Sequence, residues 1–419
     1  MLSYDRAVRD PLYGYIPLTN EEVNILNTSP LQRLRRIQQL GFTQLVYPSA
    51  VHTRFEHSLG VLHIAGKIAA HLSLSDQETR VIRFAALLHD IGHGPFSHFY
   101  EQAIAESTGH SFLHEEITHA LIQHCEEVSV TLKGSLEAVL SLFQPSRQCT
   151  GEQILNGPID ADKMDYLRRD SYHTGVAYGI FDLERLLYTL GVEQSSKESY
   201  LLIEEKGIDA LDSFRLSRFF MHTQVYYHHT RVAAERMLGR GVKIAIDNGT
   251  LPRDLYTTLS EDMLQFHLSL DDASLIATLT RDLRSTSGQL AREVLNRRLL
   301  KRGYELNLSI STNARLNRKI LSLHTFNPLE QAIAEMCRCD PDRIIGERHT
   351  IRNSQFSDPF KEGESDTLIR LKDGEIVHAN EVSSLGGIGE SRMMFYVFCP
   401  DKCRNEVRNI TEQLIMDSF

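Results

Sequence analysis

The chain has 419 residues, 42% of them hydrophobic, and carries a formal net charge of −10 with a pI near 6.0. That is enough for one large packed domain and a smaller one, and the acidic balance disfavours a general affinity for nucleic-acid phosphates. No apolar run approaches the roughly 18–20 residues that span a bilayer, the start Met-Leu-Ser-Tyr-Asp-Arg lacks the apolar core of a signal peptide, and six cysteines in so long a chain point to free thiols in the cytoplasm.

From Asp10 to Gly41 the sequence predicts a turn and two helices. Thr19 with Glu22 makes a capping box, and Ser29-Pro30 supplies an N-cap and an N1 proline for a helix that stops at Gly41. Leu31, Leu34 and Ile37 face inward, while Gln32, Arg33, Arg35, Arg36, Gln38 and Gln39 form a charged face that by default is solvated. The next helix, opened by His57 or Ser58, carries Leu59, Leu62, Ala65, Ile68, Ala69 and Leu72 at helical spacing. Arg54, just before it, has the planar fork that binds phosphate, although a surface ion pair explains a lone arginine equally well.

The stretch from Arg83 to His98 organises the chain. An apolar helix with Val81, Ile82, Ala85, Ala86 and Leu88 ends in His89-Asp90 and is broken by Gly92, Gly94 and Pro95. Too apolar for a solvated face, it should be buried, which leaves the His-Asp pair partly desolvated and in need of partners. A bound divalent cation satisfies both together, and a capped helix end with a satisfied core histidine is the plain alternative. His93, His98 and His114 follow at unusual density, with Glu115 beside the last, and imidazoles of ordinary pKa suit proton transfer at neutral pH. His110, His119 and His124 fit ordinary surface histidines.

Further on, Asp160-Ala-Asp162-Lys163-Met-Asp165-Tyr166 through Asp170 mixes carboxylates and cations within about three turns. An exposed salt-laced helix accounts for this, and so does a site in which one carboxylate binds metal while Lys163 and Tyr166 hold an anionic substrate. Tyr200–Ile203 reads as a strand, and Ala210–Ile246 as a long helix or helix pair with Arg218, His222 and Tyr226 on one side, a stripe that can flank a base or pack on a core. The pattern stays helical and basic to residue 302.

At Gly303 the period changes from 3.6 to 2, with Tyr304, Leu306, Leu308 and Ile310 alternating with polar residues. A helix from Asn327-Pro328, a hairpin around Asp373-Gly374, a strand over Met393–Phe398 and a last amphipathic helix through Cys403, Val407, Ile410 and Leu414 complete the chain. Residues 348–365 are polar and read as a mobile loop. The expected fold is therefore mostly α, a helical domain over residues 1–302 with a smaller α+β domain over 303–419. Cys337-x-Cys339 with Cys399-x3-Cys403 has the makings of a zinc site, but the spacings match common fingers poorly and favour reduced thiols.

His57, His89, Asp90 and Asp162 come from three separated segments and supply two imidazoles and two carboxylates. Such a set fits a catalytic cation of the manganese, iron, zinc or magnesium kind with coordination positions to spare. The order H…HD…D resembles the HD phosphohydrolase superfamily. The stretches Asp10-Pro-Leu-Tyr-Gly, Leu31-Gln-Arg-Leu-Arg35, Arg54-Phe-Glu-His-Ser-Leu-Gly60, His89-Asp-Ile-Gly-His-Gly-Pro-Phe-Ser-His98, His114-Glu115 and Asp160-x-Asp-Lys-x-Asp-Tyr166 are similar to its deoxynucleoside triphosphate triphosphohydrolases, over about residues 8 to 240. The resemblance implies a helical HD core that converts a deoxynucleoside triphosphate to deoxynucleoside and inorganic triphosphate, as a homo-oligomer. It implies that His57, His89, Asp90 and Asp162 hold the metal, that Arg54, Lys163 and Tyr166 hold the triphosphate, and that His93, His98, His114 and Glu115 line the scissile phosphate, with His98 as general acid. It also implies that Gln39, Leu40 and Asp170 read the deoxyribose, with Tyr226 against the sugar and Arg218 and His222 completing the pocket. Asn27 stands where regulated members carry a guanine-reading aspartate; with Gln32 and Arg35 it makes the candidate set for an activating nucleotide at a subunit interface. Two other readings compete: an HD-type hydrolase or nuclease for other nucleotides or single-stranded nucleic acid, and a non-catalytic nucleotide-sensing module, whose best feature is the basic run Arg292 to Arg302.

Overall fold

The computed structural model describes residues 3–144, 149–194, 198–351, 367–385 and 392–418. It begins with a hairpin absent from the sequence expectations, β1 (Arg6–Asp10) and β2 (Gly14–Leu18), antiparallel with Asp10 opposite Gly14. The Asp10 carboxylate accepts from the amides of Leu12 and Tyr13, and Gly14 takes a left-handed φ of 73°, so the turn read at Asp10 closes a strand pair. Helix α1 (Asn20–Leu26) starts at the Thr19–Glu22 capping box.

The next helix is shorter than expected. α2 (Ser29–Arg33) has Thr28 as its N-cap, tightens into one 3-10 turn over Leu34–Arg36, and is extended by Ile37. The chain leaves the helix there because the Gln38 amide donates to Asp272 Oδ2 and residue 38 bridges to Thr53. Its polar side is not all solvated. Arg33 is fully buried, donating to the carbonyls of Leu270 and His93, and burial depresses its pKa to about 10 against the pull of Asp271 and Asp272.

α3 (Arg54–His71) is capped by Thr53 rather than by His57 or Ser58, which puts His57 inside the first turn. It lies against α4 (Asp76–Leu88), whose own capping box is Ser75 with Glu78. α5 (His98–Thr108) and α6 (His114–His124) follow, and the helix Ala161–Thr174, capped by Asp160, lies across α3. The long helical segment is a pair, Ile208–Met221 and His229–Asp247, joined by a wide π turn over His222–Tyr226. Helix gives way to strand slightly before Gly303, at Lys301.

Among the described residues nine strands form three sheets. Beside the first hairpin, β3 (Leu190–Gln194), β4 (Ser199–Glu204), β7 (Leu368–Arg370) and β8 (Ile376–His378) make one sheet in the order β3-β4-β7-β8, parallel only between β4 and β7. β5 (Lys301–Asn307), β9 (Arg392–Cys399) and β6 (Ile345–Ile351) make an antiparallel sheet in the order β5-β9-β6. The hairpin around Gly374 therefore returns to pair with β4, and the boundary expected at 302/303 is crossed by a sheet. Leu202 stands opposite Leu368, and Ile369 joins the large core while Phe395, Val397 and Cys399 belong to a second, smaller one. Of the polar stretch read as a loop, residues 348–351 are the end of β6, and 352–366 lie outside the described residues. The mostly α architecture with an α+β C-terminal region is as expected. Among the described residues no helix is long and apolar enough to cross a membrane.

Candidate metal centre

Three buried helices deliver the site. His57 projects from the first turn of α3, His89 caps the C-terminus of α4 with Asp90 next to it, and Asp162 sits in the first turn of the Ala161–Thr174 helix. His57 Nε2 is 2.9 Å from Asp162 Oδ1, 3.3 Å from His89 Nε2 and 3.9 Å from Asp90 Oδ2. His89 Nε2 is 3.3 Å from Asp90 Oδ1 and 3.8 Å from Asp162 Oδ1. Both rings are pinned from behind, His57 Nδ1 at 2.8 Å from Asp165 Oδ2 and His89 Nδ1 at 2.8 Å from the Ala86 carbonyl. Each therefore turns Nε2 to one common point, the second-layer orientation typical of metal-binding histidines.

The donor set fits a divalent cation of the kind its chemistry suggests. Burial works against a charged His57, yet its hydrogen bonds to Asp162 and Asp165 raise its pKa to about 10. Burial likewise opposes ionisation of Asp162, and His57 and then His89 bring it down to about 2. Positive charge is thus favoured at the point where the nitrogens and carboxylates meet. The ligand types, two nitrogens and two oxygens with no thiolate, leave the choice among manganese, iron, zinc and magnesium open.

Asp165 and its surroundings are what the sequence reading missed. Asp165 is fully buried, takes a bidentate pair of bonds from Arg169 at 2.8 and 3.0 Å and a third from Tyr13 at 2.8 Å, while Arg169 also reaches Asp10. The signal was present as an i,i+4 Asp165–Arg169 pair within the motifs already singled out, but nothing in the spacing says that the pair is interior. Gly60 makes room for this arrangement, and Gly92 for the close approach of the His114 backbone. A Cβ on Gly60 would lie 1.9 Å from Asp165 Oδ1, and one on Gly92 would lie 2.2 Å from the His114 carbonyl.

A second cluster adjoins the first and shares Asp90. Asp90 Oδ1 is 3.3 Å from His93 Nε2, the same distance as from His89 Nε2. The His93 and His114 rings stack at 3.7 Å, and His98 stands 5.3 Å from each. Glu101 sits beneath all three, at 3.6 Å from His93 Nδ1, 3.4 Å from His114 Nδ1 and 3.5 Å from His98 Nδ1. The contacts from Glu101 to His93 and His114 are at ion-pair distance, and both Nδ1 atoms are buried. Burial opposes ionisation of Glu101, but the three histidines, His114 foremost, hold it ionised. Burial, Arg54 and His114 together push His93 down to about 4. His98 is the exposed member, its side chain 62% accessible, and Glu115 reaches His114 Nδ1 at 3.3 Å. The loop carrying these groups is strained: Phe96 and Ser97 have φ of 53° and 64°.

The remaining expected residues divide into three groups. Arg54 and Lys163 are buried and already engaged, Arg54 with Asp90 Oδ2 at 2.6 Å and Ser97 Oγ at 2.9 Å, Lys163 with Asp160 Oδ2 at 2.6 Å. Tyr226 donates to Asp170 Oδ2 at 2.7 Å, His52 holds Asp170 Oδ1 at 2.8 Å, and the Gln39 amide bonds the His52 carbonyl, which draws Gln39, buried Leu40, Asp170 and Tyr226 into one neighbourhood. His222 and Tyr166 flank Tyr226 with ring centroids at 5.0 and 6.1 Å, and the charge of Arg218 reaches Tyr166. Asn27 and Arg35 are exposed on the outer surface, Gln32 is half-buried between them, and Arg35 lies over the Phe55 ring at 3.6 Å. His110 and His124 are exposed and His119 half-buried, as expected of ordinary histidines.

A helical core in which His57, His89 and Asp90 converge, with Asp162 against both imidazoles, is the arrangement of an HD-type phosphohydrolase with a candidate metal site. The HD domain profile matches residues 54–170, and the HD associated region matches residues 181–416. The chain belongs to the HD-domain phosphohydrolase family. It is 42% identical over 237 residues to an uncharacterized protein of Methanocaldococcus jannaschii, covering 57% of this chain and 49% of that one. It is 28% identical over 321 residues to the deoxynucleoside triphosphate triphosphohydrolase SAMHD1 homolog of Dictyostelium discoideum, covering 71% and 59%. The chain thus spans about half the length of the curated relatives it matches. Among solved structures, a phosphohydrolase of Bacteroides thetaiotaomicron superposes with a TM-score of 0.74 at 26% identity, covering 94% of this chain and 99% of that one.

Proposed function

We propose that the chain hydrolyses deoxynucleoside triphosphates to deoxynucleoside and inorganic triphosphate. The observation that carries this reading is Asp90 Oδ1, equidistant at 3.3 Å from His89 of the metal set and His93 of the histidine–glutamate set. A phosphorus atom between the two sets would face metal ligands on one side and proton-transfer groups on the other. His57, His89, Asp90 and Asp162 would hold the cation, which when bound polarises a phosphate oxygen and acidifies water.

The chain's own groups do the rest. Glu101 fixes the three imidazoles, and His98, the exposed one, delivers a proton to the departing oxygen as the ester bond to the sugar breaks. His93, held neutral, and His114 line the reacting phosphate, and Glu115 steadies His114. Arg54 and Lys163 exchange their carboxylate partners for triphosphate oxygens, with Tyr166 alongside. Gln39, Leu40, Asp170 and Tyr226 meet the deoxyribose, and Arg218 and His222 close the pocket. The activity for which the Dictyostelium relative is named supports this substrate class. In the same reading the protein is a homo-oligomer, a dimer or tetramer, with an activating nucleotide between subunits against Asn27, Gln32 and Arg35.

The test is to incubate the full chain with manganese and, in separate reactions, single deoxynucleoside triphosphates and single-stranded DNA, and to resolve the products. Nucleoside plus inorganic triphosphate supports the reading; shortened single-stranded DNA supports the nuclease alternative, and tight nucleotide binding without turnover supports the sensing module.

A further inference from the structure

Three of the four residues placed against the deoxyribose are tied together by one that is not among them. His52 lies just ahead of α3, two residues before its start, and its side chain is fully buried. Its carbonyl accepts from the Gln39 amide at 3.0 Å, and alongside it residue 38 bridges to Thr53, so the backbone here holds the Gln39 segment in place. The ring reaches the other way, with Nε2 at 2.8 Å from Oδ1 of Asp170, 118 residues along the chain in the helix Ala161–Thr174. Asp170 Oδ2 in turn accepts from the Tyr226 hydroxyl at 2.7 Å, at the end of the π turn.

An ionised carboxylate only accepts hydrogen bonds, so Nε2 is the donor in the bond to Asp170. The other nitrogen, Nδ1, is buried without a hydrogen-bond partner, and the ring stacks face to face on His173 at 4.3 Å. Packing alone would be served by an apolar ring of that size, with no buried nitrogen left over. The bond to Asp170 is therefore what an imidazole adds here. Burial first, and then Asp170, push the Tyr226 hydroxyl far above its ordinary pKa, so that it too is a donor. Asp170 is thus gripped at both oxygens, which fixes the rotation of its buried carboxylate, while each oxygen keeps a second lone pair. Gln39 Oε1 is a further buried acceptor without a partner among the described residues. A 2′-deoxyribose with a base on C1′ and phosphate on C5′ has one hydroxyl left, on C3′, and that hydroxyl is the donor such acceptors suit.

We propose that His52 is a positioning residue that sets the Asp170 carboxylate to accept the sugar 3′-hydroxyl, and so makes the chain select nucleotides with that hydroxyl over their 3′-deoxy counterparts. The inference rests on the deoxynucleoside triphosphate reading above. A site built to hydrogen-bond a hydroxyl rejects the analogue that lacks it, because its own buried polar groups are then left unpaired. Without the His52 donor the carboxylate turns on Tyr226 alone, and the hydroxyl meets a misaligned acceptor. The metal set is untouched by this, since the His52 ring makes its one hydrogen bond to Asp170.

The experiment compares hydrolysis of a deoxynucleoside triphosphate and the 2′,3′-dideoxy compound of the same base by the full chain with manganese. The unaltered chain should prefer the deoxy substrate in kcat/KM by about tenfold or more, the scale of one hydrogen bond to a charged group. His52→Phe keeps a ring to stack on His173 and removes the donor. It should raise KM for the deoxy substrate by a similar factor, change kcat little and erase most of the preference, whereas His52→Gln, whose amide can donate from the same place, should restore it. Should the Phe variant fail to fold, His52→Asn, too short to reach Asp170, set against His52→Gln gives the same comparison. No turnover of any deoxynucleoside triphosphate by the unaltered chain overturns the substrate reading and this inference with it. Turnover without preference in the unaltered chain, or a variant lacking the donor that loses activity equally on both substrates, overturns the role of His52 alone.

Discussion

His57 and Asp165 meet at 2.8 Å on the side of the imidazole away from the metal centre, inside a protein shell that leaves Asp165 no contact with water. This bond fixes which nitrogen of His57 faces Asp90 and Asp162. Exchanging Asp165 for Asn removes the negative charge that holds the ring and leaves Arg169 with Asp10 as its remaining carboxylate. The expected outcome for Asp165→Asn is a metal affinity weaker by about 10–100-fold, the usual effect of losing a partner behind a ligand. Calorimetric titration with manganese, alongside circular dichroism to check folding, measures it.

Gly60 lies one helical turn beyond His57, against the same carboxylate. In Gly60→Ala the new methyl would meet Asp165 Oδ1 at 1.9 Å and Arg169 Nη2 at 2.5 Å, and neither group has free space to retreat into. Overpacking of this kind costs about 1–3 kcal/mol or more. Gly134, where an added Cβ would meet nothing within 4 Å, is the control, and Gly134→Ala should stay within about 0.5 kcal/mol. Urea unfolding of the two variants compares them, and equal midpoints would show that the Asp165 pocket is looser than these distances require.

Asp90 is shared by the two clusters and by Arg54. Asp90→Ala should abolish both metal content and turnover, and should also destabilise the fold by about 3–5 kcal/mol because Arg54, only 5% exposed, loses its charge partner. Elemental analysis and a product assay on the purified variant decide this; retained turnover refutes the centre.

If the sugar lies against Tyr226, truncating that ring opens space beside it. Tyr226→Ala should raise kcat/KM for ribonucleotides relative to deoxyribonucleotides by about 10-fold or more, since one apolar contact discriminates by about 1–3 kcal/mol. Competition assays with paired substrates read the ratio, and an unchanged ratio moves the sugar elsewhere.

Stability should fall in mild acid. His63, His267 and His349 are each depressed, His63 and His349 to about 4 and His267 to about 3, by burial first and then by Lys67, Arg33 and Arg236 respectively. A depressed folded-state pKa means that the unfolded chain takes up protons first, so these groups favour the fold above about pH 6.5 and that advantage is lost as pH falls toward 4. His349 stacks on Tyr227 at 4.4 Å with both ring nitrogens buried and unpartnered. His349→Phe keeps the stack and removes one titration, so its unfolding midpoint should vary less steeply between pH 7 and pH 4.5 than that of the unaltered chain.

The proposed ligands His57, His89, Asp90 and Asp162 are legible in the sequence because each stands where a helix starts or stops, and caps, prolines and glycines mark such places locally. The capping boxes at Thr19 and Ser75, the break after Asp90 and the period change near Gly303 are signals of the same kind, and each corresponds to an element boundary in the fold. Local pattern did not extend to Arg33, whose helix looked amphipathic with its arginines in water. Only the distant carbonyls of Leu270 and His93 make that guanidinium a buried anchor. The same holds for the first hairpin and for β7, which crosses the expected boundary to pair with β4.

Composition, periodicity and capping, which act over a few residues, thus determined where helices and strands lie and which residue types crowd at their ends. Tertiary structure decided which of those ends meet. It gave His57 its partner 108 residues away and brought Glu101 beneath three histidines. Contacts between segments so distant depend on how whole helices pack, and no local preference of the chain encodes that packing.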